Sequence, residues 1–156
     1  MAALNQGLAQ ARGELVARMD ADDRCAPERL AEQVELLDAC PEIAVASCLV
    51  RCVAGAGDDG RGELAEGYAL YEQWINGLVD PESIARERFI ESPLPHPSVM
   101  FRAEPVEAAG GYRDIGWPED YDLWLRLSHA GGRFAKVPRV LLEWRDTPER
   151  HSRTHQ

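Results

Sequence analysis

The segment that most restricts the fold is IAVASCLVRCV, Ile43 to Val53. It is apolar, rich in β-branched residues and free of proline, so it reads as a long strand buried on both faces. Such a strand requires covering layers, and the flanking sequence supplies them. Upstream, Pro27 suits the first turn of a helix that presents Leu30, Val34 and Leu37 on one face and closes before Pro41. Before that, Leu4, Leu8 and Ala11 recur at helical spacing, Gly13 sits where a C-cap belongs, and ELVARM (14–19) reads as a short strand.

Downstream, helices are predicted over 64–79, carrying Tyr68, Tyr71, Trp74 and Ile75, and over 81–90. The three prolines of ESPLPHPS hold that stretch extended. SVMFR then reads as a strand, followed by a short helical turn and GGYRD. A helix is expected from Pro118 to about Ala130, striped by Leu123, Leu127 and Ala130. Strands near 133–137 and 139–145 close the pattern, and a polar tail occupies 144–156. Alternation of this kind in 156 residues predicts one α/β domain over 1–156, with ligands gathered at the carboxyl ends of its strands.

Charge excludes some functions. A formal net charge of −10 and no Lys/Arg cluster argue against a nucleic-acid partner. An acidic chain can still bind an anionic ligand when a metal ion supplies local positive charge. No apolar run is long enough to span a membrane, and MAALNQGLAQARGE has no basic segment followed by an apolar one. Cys25, Cys40, Cys48 and Cys52 show no CxxC spacing, which favours reduced, mostly buried thiols in a cytoplasmic protein over a zinc site. AGAGDDGRG (54–62) reads as a loop, without the Lys-Ser/Thr ending of a P-loop.

Two acidic clusters stand out. In GELVARMDADDR, Asp20, Asp22 and Asp23 fall at the end of a predicted strand. A solvated turn would account for them. An EF-hand would not, because Cys25 stands where an oxygen ligand is needed. A hard divalent cation, Mg²⁺ or Mn²⁺, completed by substrate phosphates, is the chemical alternative. In GWPEDYDLWLRL, Pro118 can open a helix with Glu119 and Asp120 in its first turn, where the helix dipole favours ionised carboxylates. Asp122 and Arg126 read as a helix-surface ion pair. Capping alone would explain either acid. Two acids beside Trp117 and Tyr121, on which sugar rings could stack, suggest a general base for an acceptor hydroxyl.

Taken in order, ARGELVARMDADD, ESPLPHPSVMFR, GGYRD, WPEDYDLWLRL and VLLEWRDTPERHSRTH resemble successive motifs of the bacterial family 2 glycosyltransferases. The resemblance implies a partial GT-A fold, a Rossmann-like mixed sheet flanked by helices. It implies a metal-dependent, inverting transfer of a sugar from a nucleotide-sugar donor to an acceptor hydroxyl on a carbohydrate or lipid-linked molecule. Asp22 becomes the metal ligand, Asp20 faces the ribose or metal water, and Asp23 supports them. Asp120 becomes the base, and Glu119 orients it or the acceptor. From the residues themselves, Trp117 is a candidate acceptor contact, and His96 is either another or a backbone-tethered loop histidine.

Two departures from the family pattern shape further expectations. The chain opens where the family is partway through its sheet, so 1–156 reads as the C-terminal portion of the domain, with ELVARM as an exposed edge inviting self-association. In addition, Trp144 is followed by Arg145, Asp146 and Thr147, without the histidine many relatives place there; His151 and His155 compete for that role with a reading as solvated tail residues. A non-catalytic remnant that keeps the fold, and a metal-dependent phosphohydrolase, are the rival readings.

Overall fold

The computed structural model describes residues 1–54 and 66–146. The glycine-rich loop and the tail from 147, with His151 and His155, lie outside them. The elements in order are α1 (Ala2–Gln10), β1 (Leu15–Ala17), β2 (Arg24–Cys25), α2 (Arg29–Ala39), β3 (Ile43–Ala54), α3 (Glu66–Gly77), α4 (Pro81–Glu87), a 3₁₀ turn (His96–Ser98), β4 (Met100–Arg102), α5 (Ala103–Ala108), α6 (Glu119–His129) and β5 (Arg133–Asp146).

The strands form one mixed sheet in the order β1-β4-β3-β5-β2. The pairing of β3 with β5 is parallel and the other pairings are antiparallel. The apolar run 43–53 is the central strand, as its composition requires. Its neighbours alternate with it: Val45 pairs with Phe101 and Ala46 with Met100. Val45 and Phe101 point into a core with Leu123, Trp124 and Leu127 of α6. Ala46 and Met100 join Leu37 of α2 on the opposite face. Helices therefore cover both sides of the sheet. Strand β1 is an edge, bonded only to β4 among the described residues.

Several local expectations shift. Helix α1 ends at Ala11 in extended conformation, so Gly13 is not its cap. The two closing strands are one. In β5, Val137 and Val140 oppose consecutive residues Cys48 and Leu49, leaving Pro138 and Arg139 in a bulge. Proline cannot donate to a ladder, and a bulge accommodates it without ending the strand. The strand also carries Trp144 to Asp146, so the polar tail does not begin at 144.

The largest difference is in α2. Leu30 and Val34 are exposed, while Arg29 and Gln33 are buried with Leu37. The reason is a carbonyl cluster beneath the helix. Arg29 donates to the carbonyls of Arg18 (2.7 Å) and Val99 (3.3 Å) and to Gln33 Oε1 (3.1 Å). Gln33 Nε2 donates to the carbonyls of Ala46 (3.0 Å) and Ser98 (2.8 Å). Buried backbone acceptors need donors, and here helix side chains supply them. The pair ties the exit of β1, the segment before β4 and the centre of β3 into one frame.

Candidate active site

The first acidic cluster sits in the turn between β1 and β2. Asp23 N–H bonds the Asp20 carbonyl (3.3 Å), and Asp23 Oδ1 accepts the backbone N–H of Arg145 (2.8 Å), fixing the turn to the end of β5. Asp23 is buried, Asp20 half-buried and Asp22 exposed. Carboxylate oxygens from all three lie within 4.8 Å of one another. Asp20 is not open, however. Arg18 grips both its oxygens, Nη1 to Oδ2 at 2.8 Å and Nη2 to Oδ1 at 2.7 Å. Asp22 is the carboxylate that faces solvent.

The second cluster opens α6. Pro118 is the N-cap residue, and Glu119 and Asp120 occupy the first turn. Burial pushes the Asp120 carboxyl up to about 6, aided by the neighbouring Glu119 charge and opposed by the Tyr121 backbone N–H and by Arg18. Desolvation outweighs the helix N-terminus, so the dipole argument from sequence has the sign of the net effect reversed. A half-buried carboxyl set in dense surroundings becomes a stronger base than an ordinary aspartate.

Beneath it lies His96, 7% exposed. Its Nε2 shares a 2.8 Å hydrogen bond with the Tyr112 hydroxyl, and its ring packs on Tyr112 and, edge-on, Trp124. Burial pushes its pKa down to about 3, so the ring is neutral at physiological pH. The 3.8 Å approach of Nδ1 to Glu119 is thus neither an ion pair there nor within hydrogen-bond range. His96 supports the floor under Glu119 and is not itself an open contact surface.

GGYRD delivers Tyr112 to this floor. Gly110 and Gly111 both have positive φ, 82° and 65°. A Cβ on Gly111 would also meet Asn5 Oδ1 at 2.8 Å. Asn5 is there because it bonds the Tyr112 backbone in both directions, accepting from its N–H (2.9 Å) and donating to its carbonyl (2.8 Å). The Asp122–Arg126 pair, expected on the surface, is half-buried: Arg126 bonds Asp122 (2.7 Å) and the carbonyls of Ala109 (2.6 Å) and Gly111 (2.7 Å), clamping the glycine turn to α6.

Arg18 is the residue that sequence reasoning missed. While holding Asp20, it also acts electrostatically on Asp120, His96 and Tyr112. Its charge thus reaches Asp120, about a hundred residues away in sequence, while its hydrogen bonds go to Asp20. An arginine two positions before a DxD in a predicted strand was the available signal. Trp117 is 61% exposed, its ring 6.4 Å from that of Tyr121, whose hydroxyl donates to the Arg88 carbonyl at 2.7 Å. A cleft of about 340 Å³ lies by Arg24, Cys25, Arg51 and Glu143, and one of about 640 Å³ by Arg102, Arg113 and Arg126. Neither of these two clefts is lined by Asp22 or Asp120.

This sheet, with an acidic turn after an edge strand and a second acid pair opening a helix, is a partial GT-A fold. Among solved structures it is similar to TarS of S. aureus (residues 1–349), with TM-score 0.64 and 18% identity over 90% of this chain and 38% of that one. It is also similar to the mannosyltransferase PcManGT from Pyrobaculum calidifontis in complex with GDP-Man and Mn²⁺, with TM-score 0.61 and 24% identity over 96% of this chain and 37% of that one. The family described as Glycosyl transferase family 2 matches residues 1–107, and the chain belongs to that family.

Curated relatives include the amylovoran biosynthesis glycosyltransferase AmsE of Erwinia amylovora, 34% identical over 92% of this chain and 49% of that protein. Another is the UDP-Gal:alpha-D-GlcNAc-diphosphoundecaprenol beta-1,3-galactosyltransferase of Escherichia coli, 28% identical over 95% and 50%. The chain spans about half the length of the curated relatives it matches. No described helix is long and apolar enough to cross a membrane.

Proposed function

We propose that this chain carries the metal-binding and base-bearing portion of an inverting glycosyltransferase, which moves a sugar from a nucleotide-sugar donor to an acceptor hydroxyl. The observation that carries the reading is the three-aspartate turn, whose carboxylate oxygens lie within 4.8 Å of one another, in a chain that also sets Asp120 in the first turn of α6. The family and relatives named above support it, as does the hard-oxygen donor set of the turn.

Asp22, open to solvent, and Asp20, sharing its carboxylate with Arg18, would hold Mg²⁺ or Mn²⁺, with Asp23 fixing the turn. When bound, such an ion stabilises negative charge developing on a leaving diphosphate. Arg18 adds fixed positive charge on the same side. Asp120 Oδ takes the proton of the attacking hydroxyl; its raised pKa strengthens it as a base while leaving most of it ionised at pH 7. Glu119 orients that hydroxyl or the base, and Trp117 offers an exposed ring to the acceptor, a carbohydrate or lipid-linked molecule. His96 acts beneath Glu119 as a neutral support.

The reading as a binding module without turnover has one observation in its favour, the closure of both Asp20 oxygens by Arg18. Calorimetry with UDP and GDP, each with and without Mn²⁺, tests the proposal. Mn²⁺-dependent binding of either nucleotide is expected. No binding under any of these conditions would return the aspartates to a solvated turn.

A further inference from the structure

Four large apolar side chains project from two loop tips beside the acid pair of α6. Phe89 and Ile90, just past α4, are 71% and 69% exposed; Ile115 and Trp117, before α6, are 53% and 61% exposed. The tips are neighbours in space. The Tyr121 hydroxyl bonds the Arg88 carbonyl, and the Tyr121 ring packs near that of Trp117. The Arg88 guanidinium lies over the Phe89 ring, 4.5 Å from its centroid. None of these apolar side chains belongs to the described core clusters.

We propose that these tips form a docking rim for a lipid bilayer surface, bringing the start of α6, with Asp120, to the membrane. The rim goes beyond the proposed transfer and is tested without it. Three features favour a bilayer over a second protein. First, the side chains expose on the order of 500 Å² together, given roughly 150–250 Å² for a whole aromatic residue, below the roughly 800 Å² per partner of a stable protein interface. Second, side chains exposed by half or more on two loop tips protrude, as insertion between headgroups requires and a flat interface does not. Third, the composition is that of a membrane boundary, an indole and a phenyl ring with aliphatic neighbours and an arginine lying along one of them.

Charge selects a zwitterionic over an anionic surface. In a chain of net charge −10, the rim sets Arg86, Arg88 and Arg113 against Glu87, Glu91 and Asp114, and the adjoining acid pair Glu119 and Asp120 leaves it modestly acidic. Arg86 pairs with Glu87, while Arg88 and Arg113 bond backbone carbonyls. Attachment is therefore apolar, and a zwitterionic surface suffices.

The test is co-flotation of the 156-residue chain with phosphatidylcholine vesicles, alongside quenching of tryptophan fluorescence by brominated phosphatidylcholine. Saturable binding is expected. It should weaken by about tenfold or more in the Phe89→Ser/Ile90→Ser double variant, since each side chain loses most of an apolar transfer term. It should change by less than about twofold in ~0.5 M salt, which screens exposed charges. Quenching in the unaltered chain should fall mostly on Trp117 and vanish largely in Trp117→Ser, because Trp124 is buried and Trp74 and Trp144 are half-buried. This second readout keeps the test decisive if the double variant folds poorly. No vesicle binding by the unaltered chain overturns the proposal. So does equal binding by the double variant, or a fall in lipid-free oligomer mass on substitution, which would assign the rim to a second copy. Nucleotide binding with Mn²⁺ is read separately, so docking and transfer can fail independently.

Discussion

The turn at Asp20–Asp23 and the helix start at Glu119–Asp120 use the same side-chain chemistry to opposite ends. The turn keeps Asp22 in water and neutralises Asp20 with a bidentate arginine. The helix start crowds Asp120 and leaves it without an ion-pair partner among the described contacts, so its carboxyl titrates near 6. A carboxylate meant to hold a cation profits from being charged and accessible. One meant to take a proton profits from being partly desolvated. In the proposed reaction the environment, and not the residue type, divides the roles.

The contrast can be broken most directly at Asp120. In any form of the protein that transfers sugar, Asp120→Asn should lower the rate by roughly 10²–10⁴, measured as nucleotide release under saturating donor. With the acid in place, the rate should fall about tenfold per unit below pH 6, as Asp120 protonates. An unchanged rate in the asparagine variant would reduce the acid pair to a helix start.

Next in size is the frame that holds the turn. Arg29→Met removes the donor to the carbonyls of Arg18 and Val99. Leaving a buried acceptor unpaired typically costs about 1–3 kcal/mol, and two carbonyls lose their donor here, a loss to be read by urea denaturation. A loss under about 1 kcal/mol would mean that water serves those carbonyls as well as arginine does.

Asp120→Asn should also stabilise the fold at neutral pH, by at most about 3 kcal/mol, since two pKa units correspond to about 2.7 kcal/mol. The sign follows from linkage. Between about pH 4 and 6 the folded chain binds the Asp120 proton and the unfolded chain does not, so this group's contribution falls as pH rises through that window. His96 works the other way. Its folded pKa near 3 lies below its unfolded value, so its contribution is complete above about pH 6.5 and is lost as pH falls toward 3. The two terms oppose each other between pH 4 and 6, and Asp120→Asn should expose the histidine slope. Denaturation midpoints at pH 4, 5, 6 and 8 check this.

At the turn the effects are smaller. Asp22→Asn should weaken Mn²⁺-dependent nucleotide binding by about 1.5–3 kcal/mol, the range for a lost charged contact, with stability unchanged within about 0.5 kcal/mol. Asp20→Asn should cost about 0.2–1 kcal/mol of stability, because its pair with Arg18 is partly solvated. Calorimetry and denaturation together separate the two. A larger stability loss for Asp22 than for Asp20 would invert the comparison.

Particular residues show where reading the chain alone runs out. Both acidic clusters were legible because charge bunched at a strand end and at a helix start is locally conspicuous. The pairing of Arg18 with Asp20 was not, since an arginine inside an apolar strand pattern looks like a solvent-facing residue. The inward face of α2 was misread for a related reason. Hydropathy favours Leu30 and Val34, but the carbonyls waiting beneath the helix select Arg29 and Gln33. Likewise the spacing of Asp122 and Arg126 indicates a pair but not the carbonyls of Ala109 and Gly111 that the arginine also holds.

The sequence by itself determined the alternation of elements, the central strand at 43–53, and the family to which the chain belongs. These rest on periodicity and local motifs, which a chain carries residue by residue. Only the tertiary structure decided that Pro138 is absorbed in a bulge, that His96 is sealed and neutral, and that Asp120 is the more basic carboxylate. Each of those depends on what the fold removes from water or brings opposite a given atom. Desolvation and buried hydrogen bonding are properties of a neighbourhood, and neighbourhoods form only when distant segments meet.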